Sequence, residues 1–223
     1  MNDTTKLTMR LAAIAGLALS ATSAHAAVTY DSTNPELGFT VASGDLLESA
    51  TIAAQSGWST TFGSDYNALT DGAYGSIYTG GTIVIDGAWD QAAGGATITY
   101  DLDLSGAALG YDLTSIVSYA GWSSGDLGRQ GITVEVHTVG SAPLDWTSLG
   151  MGTNAEGGSS STKVTFGDLT VSGVDSIRFT SGGTYATVFR EYDAIGTATV
   201  VPEPSSTALL GLGGLALIFR RRK

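Results

Sequence analysis

The chain has 223 residues, 43% of them hydrophobic and only 14% charged, with 31 glycines and no cysteine. These proportions exclude a disordered chain and a multi-span membrane protein, and the missing thiols exclude disulfides, thiol catalysis and cysteine-ligated zinc. The formal charge of −11 understates the acidity of residues 27–200, where only Arg129, Lys163, Arg178 and Arg190 face the nineteen carboxylates left when Asp3 and Glu203 are set aside. Such a surface repels nucleic acid, whose binding needs cations on phosphates, and it attracts divalent cations.

Residues 1–26 have the three parts of a secretory signal. Lys6 and Arg10 form a basic n-region, and Leu11 to Ala21 form an apolar stretch too short for a stable span. Ala24 and Ala26 then place small residues at the −3 and −1 positions of a cleavage site, which predicts a signal helix, a mature start at Ala27, and the export machinery and signal peptidase as partners.

Residues 27–200 show no sustained helical period. Short runs alternate apolar residues with Thr, Ser and charged residues: Thr82–Ile85, Ala96–Leu104, Ser115–Tyr119, Ile132–Val139, Lys163–Phe166, Val174–Thr180 and Ala194–Val200. In Ile132–Val139, Ile132, Val134 and Val136 share one face, while Thr133, Glu135 and His137 share the other. One dry and one wet face is the pattern of an antiparallel sheet. Gly pairs such as Gly94-Gly95 and Gly182-Gly183 separate the runs, which predicts an all-β, antiparallel β-sandwich or barrel with a further strand or two from residues 27–60.

Residues 201–223 form a third segment. Pro202 and Pro204 block any helix continuous with the domain, Ser205 or Ser206 can cap a new one, and Thr207 to Phe219 are all apolar or small before four terminal cations. Thirteen helical residues reach roughly 20 Å, short of a hydrocarbon core of about 30 Å, so a short transmembrane helix here is a marginal anchor. The cations place the C-terminus in the cytoplasm and the domain outside.

Pro202-Glu203-Pro204, the Gly-rich apolar run and the Arg cluster resemble the PEP-CTERM sorting signal of Gram-negative bacteria that make exopolysaccharide. The resemblance implies recognition at the inner membrane, cleavage near the Pro-Glu-Pro motif by an exosortase-like processing enzyme, and delivery to the cell surface or extracellular matrix. A plain C-terminal anchor is the alternative.

The order Asn67–Gly72, Thr97–Leu104, Tyr111–Leu113, Tyr119–Trp122, Gly128–Gly131, Ile132–Val139 and Phe189–Gly196 resembles the galactose-binding-like jelly roll of discoidin-type domains and many carbohydrate-binding modules. That resemblance implies two packed antiparallel sheets with ligands held by loops at one end. It also implies a structural calcium between an early Asp-Gly turn, matched by Asp71, and a Glu near the last strand, matched by Glu191. The alternative is that Asp71 only makes its turn with Gly72 and that Glu191 pairs with Arg178 or Arg190.

Catalytic patterns are poor. Gly121-Trp122-Ser123-Ser124-Gly125 has the spacing of a nucleophile elbow, but no helix follows and His137 is the one histidine of residues 27–200. Gly150–Ala155 imitates a dinucleotide loop without a following helix, so it reads as a surface loop. Asp101 and Asp103 share a strand face, where solvated acids are commoner than a glycosidase pair. Sugars stack on aromatic faces while charged groups take their hydroxyls, which makes Trp89, Trp146 and Arg129 the binding candidates among the four tryptophans and four cations. Trp122 fits the core better. The sequence therefore predicts an exported, non-catalytic domain that binds carbohydrate or exopolysaccharide, or alternatively a structural matrix or adhesion protein.

Overall fold

A computed structural model describes residues 26–33, 38–61, 66–75, 83–86, 95–122, 127–155, 161–182 and 187–200. Eleven strands lie among them: β1 (Ala27–Thr33), β2 (Thr51–Ser56), β3 (Trp58–Thr61), β4 (Ile83–Asp86), β5 (Thr97–Asp101), β6 (Tyr111–Gly121), β7 (Gln130–Thr138), β8 (Thr147–Asn154), β9 (Ser161–Gly167), β10 (Val174–Ser181) and β11 (Val188–Ala198). All their pairings are antiparallel.

Two layers follow from those pairings. One has the order β2-β5-β10-β7-β8 and the other β1-β9-β6-β11-β4-β3, joined at a corner by the single pair Val174↔Tyr111. Among the described strands only the β3–β4 and β7–β8 connections stay within a layer, so the chain keeps crossing between them, as in a jelly roll. The all-β antiparallel expectation is met. The predicted signal helix, with Ala24, and the predicted C-terminal helix, with Pro202, Glu203 and Pro204, lie outside the described residues. Among the described residues no helix is long and apolar enough to cross a membrane.

Alternation explains the core. Ile132, Val134 and Val136 of β7 are fully buried, as are Ile177 and Phe179 of β10, and they meet Val164, Phe166, Ile116 and Tyr192 from the facing layer. Phe179 and Tyr192 stack across the sandwich with ring centroids 4.1 Å apart and planes within 7°. Burying each such side chain stabilises the fold by about 1.5–3 kcal/mol. At Gln130 the core is polar and bonded: its amide oxygen accepts from the Ser118 hydroxyl and its amide nitrogen donates to Ser118 O and Thr162 O, closing one end without an unsatisfied amide.

Some strands run longer than the alternation suggested, as β6 and β11 do, β5 is shorter than the run Ala96–Leu104, and one reading is corrected. The stretch Gly150–Asn154, read as a surface loop, belongs to β8, paired with β7 from Gln130↔Asn154 to Val136↔Thr147. Its glycines hide the pattern but serve the packing. A Cβ on Gly152 would lie 2.3 Å from Val164 Cγ1, and Gly150 takes φ +117° at the register shift between Val134 and Glu135. β1 begins at Ala27, directly after the predicted cleavage position Ala26, and lies along β9 from Ala27↔Gly167 to Thr33↔Ser161.

Candidate functional site

Three buried carboxylates converge where the 38–50 segment and the Asp71–Gly72 turn fold over β11. Glu191 and Asp193 are two positions apart on β11, opposite Tyr119 and Val117 of β6, so they point to one face. Asp45 arrives from the preceding segment, which is pinned to the strand when Leu46 N–H donates to Ala194 O at 2.9 Å. Asp45 is 7% exposed and the other two 0%. One oxygen from each lies within 4.8 Å of the others.

Each carboxylate spends one oxygen on the protein. Asp45 Oδ1 accepts from Leu47 N and Ala194 N, Glu191 Oε1 from Gly72 N, and Asp193 Oδ2 from Ala42 N and the Tyr119 hydroxyl, at 2.8–3.0 Å. The second oxygens, Asp45 Oδ2, Glu191 Oε2 and Asp193 Oδ1, are buried without a hydrogen-bond partner. Burial and mutual repulsion push Glu191 up to about 9 and Asp45 up to about 6, and burial raises Asp193 as well. The neighbouring charges that act on them, Glu48 and Asp71, are also negative.

Three buried carboxylate oxygens without a hydrogen-bond partner need either protons or a cation. Oxygen-only donors with a charge this high fit calcium, whose remaining positions backbone carbonyls and water would fill.

The structure brings Glu191 and the Asp71–Gly72 turn together through the bond from Gly72 N–H. The expected carboxylate of Asp71 is not one of the three, however: its Oδ1 accepts from Ala73 N at 3.0 Å in its own turn. Glu191 does not take the alternative pairing, since Arg178 bonds Glu135 and Arg190 Nε donates to Gly121 O. Asp45 and Asp193 were missed. Asp193 had a local signal, its i+2 relation to Glu191; Asp45 had none.

Of the carbohydrate candidates, Arg129 and Trp146 are not gathered in one place. Trp89 lies outside the described residues. Arg129 is half-buried just before β7, whereas Trp146 follows the turn after its other end, about 30 Å away for nine strand residues. Trp146 is half-buried, with the Arg178 guanidinium 4.3 Å from its ring centroid and the His137 ring 5.5 Å away. Arg178 is held by Glu135 at 2.8 Å, and His137 by Asp175 at 2.7 Å and Ala142 O at 3.0 Å. Trp122 packs on Val188 as expected of a core residue, and Trp58 lies 5.3 Å from Phe189.

Asp101 accepts from the Ser176 hydroxyl and Asp103 serves the turn at Ser105. Ser123 and Ser124 lie outside the described residues.

Among solved structures the chain is similar to CBM32-3 from a family 31 glycoside hydrolase of Clostridium perfringens, at 17% identity over 68% of this chain and 94% of that one, with a TM-score of 0.45. It is also similar to the family 32 carbohydrate-binding module of C. perfringens NanJ, solved in complex with galactose, at 14% identity, 67% and 96% coverage and a TM-score of 0.43. A third is an F5/8 type C domain from Bacteroides fragilis, at 15% identity, 68% and 99% coverage and a TM-score of 0.39. No curated protein matches the chain. Residues 200–223 match the model described as the PEP-CTERM protein-sorting motif, and the chain therefore carries that motif at its C-terminal end.

Proposed function

We propose that this chain is an exported, non-catalytic β-sandwich protein, sorted through its C-terminal segment, that binds carbohydrate on the surface around Trp146 and holds a structural calcium at Asp45, Glu191 and Asp193. The observation that carries the binding reading is the setting of Trp146. An indole held by Arg178 and His137, with Glu135 and Asp175 beside it, offers an apolar face and charged groups for sugar hydroxyls within one patch. The export reading is supported by the sorting motif and by the signal-like first 26 residues. Extracellular polysaccharide is the substrate class this combination favours, and the processing enzyme for the tail is a second partner. Calcium neutralises three buried carboxylates and ties two loop segments to β11; its role is structural.

A glycan array and a polysaccharide pull-down with the purified chain test the binding. Binding that falls roughly tenfold in Trp146→Ala, about 1.4 kcal/mol, supports the reading. Binding unaffected by that change, or no binding at all, sinks it. One observation favours the second reading, a matrix or adhesion protein without a small ligand: Arg178 and His137 already have protein partners.

A further inference from the structure

The apolar side chains left exposed gather at the end of the sandwich where the sorting segment departs. Among the described residues the exposed large hydrophobics are Tyr30, Leu109, Val139, Leu144, Met151 and Val200. Tyr30 and Met151 lie within β1 and β8, but the other four meet at one end. Thr199 N–H donates to Gly110 O at 2.9 Å, Val139 N–H donates to Gly173 O at 2.8 Å, and Gly173 N–H donates to the Thr199 hydroxyl oxygen at 3.1 Å. Gly110 and Gly173 touch so closely that a Cβ on Gly110 would lie 2.5 Å from the Gly173 carbonyl. Leu109, Val139 and Val200 are therefore neighbours through interlocked backbones, and Leu144 stands on the same β7–β8 connection as Val139. Leu144 is 90% exposed and Val200 77%, with Leu109 at 41% and Val139 at 39%.

The chain beyond says what such a rim would meet. The Thr199 hydroxyl donates to Asp112 Oδ1, so the last strand is pinned there. Seven residues, 200–206, separate that pin from the apolar run that starts at Thr207. Fully extended, they span at most about 25 Å. A tail inserted in a bilayer thus keeps this end, and no other, beside the lipid.

We propose that this end is a lipid-facing surface, on which Leu109, Val139, Leu144 and Val200 sit in the headgroup–acyl boundary of the bilayer that holds the tail. The proposal rests on the tail inserting. Asp103, Asp112 and Asp145 stand around the rim, so immersion stays shallow and a zwitterionic surface is preferred to an anionic one. The strands then rise away from the membrane.

The absence of cysteine makes the test direct. The full chain is reconstituted in phosphatidylcholine vesicles carrying nitroxide lipids, with one fluorescent label at a time on Leu144→Cys, Val139→Cys, Ala73→Cys or Leu215→Cys. Ala73 is exposed beside the carboxylate cluster, toward the other end of β11. The Leu215 label reports tail insertion by itself. Quenching of at least about twofold at 144 and 139, with none at 73, is the expected result. With the Leu215 label quenched, equal signals at 144 and 73 overturn the proposal, as does a Leu144 label that self-quenches between copies but ignores the lipid quencher. An unquenched Leu215 label overturns the insertion reading and the proposal with it.

Discussion

Gly72 donates its backbone N–H to Oε1 of Glu191 at 3.0 Å, across 119 positions of sequence. The bond fixes one oxygen of a fully buried carboxylate, whose other oxygen has no hydrogen-bond partner, in a cluster with Asp45 and Asp193. Gly72 adopts φ +74°, a conformation that favours glycine and lets the turn present its N–H there.

Calcium should therefore stabilise the chain. At a concentration hundredfold above Kd the gain is about 2.7 kcal/mol, or roughly 5–10 °C in Tm for a domain of this size. Differential scanning calorimetry with calcium and with a chelator measures it. Glu191→Gln and Asp193→Asn should abolish the shift, and in chelator they should melt no lower than the parent, because each replaces a carboxyl whose ionisation burial disfavours with a neutral amide of the same shape. A parent Tm unmoved by calcium would count against the site.

Without a cation, pH acts on the same group in a definite direction. Glu191 is raised to about 9 in the fold from an ordinary value near 4.5, so the folded state binds its proton more tightly than the unfolded state. The stability that this group contributes is greatest below the unfolded value and is lost as pH rises from there through about 9. Asp45, raised to about 6, adds to the fall at its lower end. Urea titrations in chelator at several pH values should show a declining midpoint that calcium flattens. A chelated midpoint rising over that range would contradict the assignment.

His137 behaves as a cationic latch. Its two ring nitrogens face two acceptors, Asp175 Oδ1 and Ala142 O, and a neutral imidazole has one N–H to offer. The bond to Asp175 raises its pKa above the ordinary 6.5, so its stabilising contribution is complete below about 6.5 and lost as pH rises through the raised value. Asp175→Asn should lower the His137 pKa measured by NMR. The Trp146 emission maximum should follow the same titration, since the rings are 5.5 Å apart. Emission indifferent to that titration would show that the latch does not hold the turn.

Gly152→Ala tests the packing of β8. The new methyl would lie 2.3 Å from Val164 Cγ1 across the sandwich, and overpacking of this kind costs about 1–3 kcal/mol. Chemical denaturation should show the loss as a lower midpoint with an unchanged slope; an unchanged midpoint would mean that the layers are looser there than described.

The strands were legible where the side chains alternate, because period two is a local property that survives any tertiary arrangement. β7 shows it best, with Ile132, Val134 and Val136 all buried. β8 was not legible, since Gly150 and Gly152 contribute backbone and empty space, and space has meaning only against Val164 of a facing strand. The sequence by itself determined the antiparallel sandwich, the acidic character and the sorting motif, each of which needs only local order or composition. The tertiary structure alone decided that Asp45 joins Glu191 and Asp193, and that Arg129 and Trp146 stand at opposite ends of β7. A buried carboxylate is recognised by the partners it lacks, and those are set by chain crossings such as the bond from Ala194 N–H to Asp45, 149 residues earlier.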